Sequence, residues 1–253
     1  MAGVRRRRRR VPLPLLLAVF LAAALAAVFA AVQLAASLGS YSSAGREYEA
    51  LRLTRASAAE ETARTLNTAT PEPTTTYPGQ GLAEINPDYI GGIAVTGTAV
   101  DYPVVRGGDN EKYLTTTFEG NENKLGALFM DYRCTQGFDG RHTVVYGHNA
   151  RYGSMFGSLS GLLDAGEYPD IQITTADGES RVYRVFAARE TDITDPAYRL
   201  EVDGEDDFLN FAAMLGAPDS GRLPEGATRI LTLATCTNGP DKNDLLLVHA
   251  ALQ

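Results

Sequence analysis

The chain has 253 residues and a formal net charge of −8, with two cysteines and three histidines. An acidic balance supplies no electrostatic footprint for nucleic acid. No His/Cys/Asp cluster has metal-ligand spacing, so no metal or cofactor is expected, and Glu205, Asp206 and Asp207 offer weak cation binding at most.

The N-terminus bears on the compartment. Arg5 to Arg10 are six consecutive arginines, and no charged residue follows until Arg46. Between them Val11 to Leu38 is almost wholly Ala, Leu, Val and Phe. A hydrocarbon core of about 30 Å needs about 20 apolar residues, and this run is longer. The arginine block assigns its own side to the cytoplasm. The expected layout is a cytoplasmic basic tail at 1–10 and a transmembrane signal anchor at 11–39, with everything beyond outside the cell. A cleaved signal peptide is the alternative, with an apolar region of about 7–15 residues and Ala35-Ala36-Ser37 as a place to cut. Without the six arginines the chain carries −14, which favours reading them as a topology signal over a nucleic-acid patch.

Residues 40–81 read as a stalk and linker. Ser40 to Asn67 is polar, free of proline and only weakly striped by Tyr48, Leu51, Leu53, Ala58 and Ala63, the pattern of an exposed helix. Thr68 to Gly81 is rich in Pro, Thr and Gly, which marks a linker.

From Leu82 the texture changes to short β-branched runs between turn residues, the pattern of an all-β sandwich or barrel. Eight strands are expected, beginning near Ile93, Val100, Ala127, Thr143, Ile171, Arg181, Arg229 and Leu245. Ala176-Asp177-Gly178 signals a hairpin. Helical texture is confined to Asn110–Thr116, Met155–Leu163 and Asp206–Leu215. About 170 residues suffice for one domain with a core.

Cys236 closes the apolar run Ile230-Leu-Thr-Leu-Ala-Thr-Cys236, and His148 ends the run Thr143-Val-Val-Tyr-Gly-His148. A thiol attacks as the thiolate, whose ordinary pKa near 8.5 requires a base or a cation beside it. A Cys and a His at the C-terminal ends of two strands supply those parts. His142 precedes its strand after Asp139-Gly140-Arg141 and is expected in solvent, while His249 is expected half-buried within the last strand. Cys134 leaves a second possibility open, a disulfide to Cys236, which would abolish the thiol chemistry.

Several motifs, in order, resemble those of sortases, the membrane-anchored cysteine transpeptidases of Gram-positive cell walls. Thr232-Leu-Ala-Thr-Cys236 resembles the family's nucleophile motif. Ile85-Asn-Pro-Asp88, Asp101-Tyr-Pro-Val-Val105, Asn110-Glu-Lys-Tyr-Leu114, Phe129-Met-Asp-Tyr-Arg133, Tyr146-Gly-His-Asn149 and Gly153-Ser-Met-Phe-Gly157 resemble class B sortases. The resemblance implies a mainly β fold, an eight-stranded sortase-type barrel with a few short helices, occupying 82–253. It implies Cys236 as nucleophile and His148 as its partner, with Asn110, Leu114 and Thr235 lining a substrate groove. It also implies the partners: secreted proteins bearing a C-terminal sorting signal of the Asn-Pro-x-Thr-x type, and an amine of a peptidoglycan precursor or pilin.

Two departures stand out. The family carries an Arg on its last strand, serving the oxyanion or holding substrate, and the matching position here is Leu245. Lys242, or an Arg from elsewhere such as Arg133, is then needed as a substitute cation. Without one, the chain would be a catalytically impaired binding module for sorting signals. A hydrolytic cysteine protease is a third reading. The second departure is Gly91-Gly92, where relatives commonly carry Trp after the first Gly. Ala234 also stands where many relatives carry Ser.

Overall fold

The computed structural model describes residues 13–67, 79–150, 153–216, 223–236 and 244–253. The arginine tail, most of the Pro/Thr linker and Lys242 lie outside them. The chain forms two compact units, Met1–Ser43 and Ala44–Gln253. Helix α1 runs Leu13–Asn67. Its N-terminal part is long and apolar enough to cross a membrane, and side chains such as Phe20, Leu25 and Phe29 are exposed along it.

In the second unit eight strands close into a barrel in the order β1-β2-β3-β4-β7-β8-β6-β5. They are β1 (Tyr89–Val95), β2 (Asp101–Val105), β3 (Leu128–Met130), β4 (His142–Tyr146), β5 (Asp170–Thr175), β6 (Ser180–Asp192), β7 (Ile230–Cys236) and β8 (Asp244–Leu252). All eight expected strands are present, and the 176–178 turn joins antiparallel β5 and β6, with Gly178 at a positive φ. Two pairings are parallel, β2 with β3 and β4 with β7. A short helix, α2 (Gln80–Ile85), precedes β1.

Strand alternation separates two cores. Leu231 and Leu233 of β7, Leu246, Val248 and Ala250 of β8 and Val145 of β4 point into the barrel. Their neighbours Ile230, Ala234, Leu247, Ala251 and Val144 point outward, where helix α3 (Gly204–Met214) covers them. Phe208, Phe211 and Ala212 recur at helical spacing and form the buried face of α3.

That outer layer corrects the expectation for His142. It is buried beneath α3, with its ring 4.8 Å from that of Phe211. Nδ1–H donates to the Arg199 carbonyl at 2.7 Å, so Nε2 accepts from the Thr232 hydroxyl at 2.8 Å. The Thr232 oxygen in turn accepts from His249 Nδ1 at 3.0 Å. Burial pushes the His142 pKa down to about 4 and that of His249 down to about 3. Both rings are therefore neutral and structural. His249 is fully buried rather than half-buried.

The exposed stalk expected at 40–67 is also corrected in part. The segment is helical, but Ala44, Tyr48 and Leu51 are buried in the main core. Arg55 donates to Asp101 at 2.7 Å. Its guanidinium lies over Gly92, where an added Cβ would sit 2.9 Å from Arg55 Nε. Gly92 thus leaves room for a side chain of α1. Cys134 is a buried free thiol, which closes the disulfide alternative. Burial raises its pKa.

Candidate active site

The parallel β4–β7 ladder organises the site. Its last pair is Tyr146 with Ala234, and Gly147 N–H extends it by donating to the Ala234 carbonyl at 3.1 Å. Two residues past each member of that pair stand His148 and Cys236, so the backbone brings the candidate base and nucleophile to one level at adjacent strand ends. Gly147 is needed for this path. A Cβ there would run into Leu128 and come within 2.8 Å of the Phe156 ring. Across the other edge of β7, Cys236 pairs with Leu245 of β8.

A cavity of about 400 Å³ opens at this end of the barrel. Asn110, Leu114, His148, Thr235 and Leu245 line it together with Arg133 and Tyr146. The structure thus gathers every predicted site residue whose side chain it describes. The Asn110 carboxamide oxygen accepts from Tyr132 N–H at 3.0 Å, which fixes that side chain. Thr235 is buried, and its hydroxyl has no partner among the described residues. His148 Nε2 lies 2.7 Å from the Leu114 carbonyl. Because a carbonyl only accepts, Nε2 carries a proton and Nδ1 is left as the basic nitrogen.

Arg133 is the one arginine or lysine lining the cavity among the described residues. It is held by the buried Asp131 in a bidentate pair, Nε to Oδ1 at 2.9 Å and Nη2 to Oδ2 at 2.7 Å. Tyr146 donates to the same carboxylate at 2.9 Å. Burial raises the Asp131 pKa, but the bonds from Arg133 and Tyr146 outweigh it and hold the carboxylate below its ordinary range. Charge-assisted bidentate pairs fix a guanidinium in space, and this one uses the Nε/Nη2 edge, leaving Nη1 outside the pair.

The sequence motifs contain Phe129, Asp131 and Tyr146 without marking their roles. Tyr146 packs between Phe129 and Tyr198, with ring centroids 5.2 and 6.2 Å away. Ile193 and Tyr198 complete the wall from the segment after β6. No local pattern distinguishes them from other loop residues.

A family model described as Sortase domain matches residues 93–253. The chain belongs to the sortase family. It is 30% identical over 168 residues to Sortase B of Listeria monocytogenes, covering 63% of this chain and 67% of that protein. It is 30% identical over 177 residues to Sortase B of Staphylococcus aureus, covering 68% of this chain and 72% of that protein. Among solved structures, a Staphylococcus aureus sortase B–substrate complex superposes with a TM-score of 0.67 at 25% identity, covering 82% of this chain and 95% of the other. Clostridium perfringens sortase B gives a TM-score of 0.60 at 27% identity, covering 68% and 98%. The eight-stranded sortase barrel is thus the fold of this chain.

Proposed function

We propose that the protein is a class B-type sortase that cleaves a C-terminal sorting signal, of the Asn-Pro-x-Thr-x type, and joins the upstream protein to a cell-wall or pilin amine. The observation that carries this is the β4–β7 ladder, beyond whose last pair His148 and Cys236 follow at one level, beside a cavity lined by an arginine that Asp131 holds. The layout that fits is a cytoplasmic tail at 1–10, a membrane anchor at 11–39, a stalk and linker at 40–81, and an extracellular catalytic region at 82–253.

In this reading His148 Nδ1 takes the proton of the Cys236 thiol, and the resulting thiolate adds to the carbonyl carbon after the signal's Thr. The carbonyl oxygen takes up the negative charge. Arg133, standing in for the family arginine that Leu245 replaces, offers Nη1 to that oxygen or to the neighbouring substrate carbonyl. Collapse of the tetrahedral adduct breaks the C–N bond, and His148 gives a proton to the departing amine. The product is a thioester on Cys236. The incoming amine attacks it, loses its proton to His148, and releases the thiolate. Asn110, Leu114 and Thr235 line the groove that holds the signal. Lys242 is the competing candidate for the cation.

The test is turnover of a quenched Asn-Pro-x-Thr-x peptide library by the full chain in detergent, wild type against Cys236→Ala. Equal inactivity on every peptide removes the enzymatic reading. One observation favours a second reading. Leu245 places an aliphatic wall where the family has its cation, as suits a sortase-fold module that holds sorting signals without turning them over. That reading predicts peptide affinity that survives Cys236→Ala, with no covalent adduct.

A further inference from the structure

The carbonyl that accepts from His148 belongs to Leu114, at the end of a 3₁₀ turn, Lys112–Leu114. The chain then leaves as a loop, residues 115–126, before entering β3. The far end of that loop packs back on the 3₁₀ turn. Ala127 N–H donates to the Tyr113 carbonyl at 3.0 Å. Gly126, with φ +59°, lies so close that an added Cβ would sit 2.9 Å from the Leu114 oxygen. The carbonyl bonded to His148 therefore packs directly against the backbone at Gly126.

Gly126 is in turn held from α1. The buried Tyr48 hydroxyl donates to the Gly126 carbonyl at 2.5 Å and accepts from Phe118 N–H at 3.2 Å, so one oxygen clamps both arms of the loop. Burial raises the Tyr48 pKa, so the group remains a proton donor across the physiological range. Next to it, Glu47 accepts from Glu119 N–H at 3.0 Å and from the Asn121 amide at 3.2 Å. A helix expected to be an exposed stalk thus supplies the clamp of the loop that aims the histidine.

We propose that Tyr48 is a positioning residue for His148, acting through the Gly126 backbone and the Leu114 carbonyl. The inference rests on His148 being the acid–base group. It assigns to α1 a part in chemistry carried out on the barrel. Losing the hydroxyl frees Gly126 and lets the Leu114 carbonyl drift from Nε2, which removes the bond that keeps the proton on that nitrogen.

The experiment uses the full chain in detergent micelles with ¹⁵N-labelled histidine. His142 and His249 are buried, so His148 is the half-exposed ring of the three. In wild type its nitrogen shifts should report a proton on Nε2. Tyr48→Phe keeps the ring and its edge-on contact with Tyr102 and removes the hydroxyl. It should move the His148 nitrogens toward a mixture of tautomers. It should also lower kcat on the order of 10-fold with KM nearly unchanged, as expected for a displaced catalytic group. Glu47→Ala, a half-buried change on α1 that removes its bonds to Glu119 and Asn121 of the same loop, should shift the signals in the same direction by less. Tyr183→Phe, which removes another buried phenol hydroxyl, should leave them in place. Wild-type nitrogen shifts in both Tyr48→Phe and Glu47→Ala overturn the proposal. If wild type turns over no sorting peptide, the proposed function fails on its own, and the tautomer measurement still decides this one.

Discussion

Leu245 lies directly across from Cys236 in the antiparallel β7–β8 ladder, and it forms part of the wall of the cavity that holds Arg133. An aliphatic side chain at that place cannot stabilise an oxyanion. In the proposed mechanism that burden falls on the Arg133 guanidinium, which follows β3 and is held by Asp131.

Arg133→Ala should lower kcat/KM on sorting peptides by on the order of 10²–10³-fold, the usual cost of losing one oxyanion donor. Arg133→Lys should recover little, because an ammonium cannot keep the two-point bond to Asp131 and still reach substrate. Leu245→Arg placed in the Arg133→Ala background should restore part of the loss. Wild-type kinetics in Arg133→Ala would assign the role to a group beyond the described residues, Lys242 first.

Gly147→Ala tests how the ladder aims His148. The new methyl meets Leu128 and Phe156, two fully buried side chains. Overpacking of this kind costs about 1–3 kcal/mol. Activity should fall by more than the stability loss explains, since the next residue is His148. Thermal unfolding and kinetics on the same preparation separate the two effects.

The barrel was largely legible because period-two alternation is written locally. Leu231, Leu233 and Leu246 could be placed on strands without knowing their partners. The placement of Cys236 and His148 at neighbouring strand ends was legible because each closes a strand-like run. What local pattern could not give was anything made by a distant cover. His142 looks solvated beside Asp139-Gly140-Arg141 until α3, some sixty residues later, closes over it. Tyr48 and Leu51 look like a weak stripe until the core of the barrel unit buries them. Arg133 could be named from the sequence only as one candidate cation among several, and its place in the cavity wall with Leu245 came from the fold.

Acid should destabilise the fold well above the range where carboxylates titrate. His142 and His249 stay neutral in the folded state down to about pH 4 and about pH 3, whereas unfolded histidines take up protons near pH 6.5. Below that value the unfolded chain binds more protons, so stability falls as pH falls, and no penalty exists above it. His142 alone should cost about 3 kcal/mol by pH 4. Melting temperatures between pH 7.5 and 4.5 should decline steadily; a flat profile would contradict neutral burial of the two rings. Thr232→Val should cost about 1–3 kcal/mol at neutral pH, because both imidazoles lose their shared partner.

The docked face of α1 should be part of the folded unit. Leu51→Ala removes a side chain that is 2% exposed and should cost about 2–5 kcal/mol. Leu53→Ala, on the exposed side, should cost almost nothing. Equal effects of the two substitutions on denaturant midpoints would show that this face does not pack.

The central claim is that Cys236 forms a thioester with a sorting signal. The most direct measurement is intact-mass spectrometry of the full chain in detergent, mixed with an Asn-Pro-x-Thr-x peptide and quenched in acid. The account predicts a mass increase equal to the peptide portion up to Thr, mapped to Cys236, released by hydroxylamine and absent from Cys236→Ala. Peptide that binds the cavity yet leaves Cys236 unmodified in every quench would contradict it.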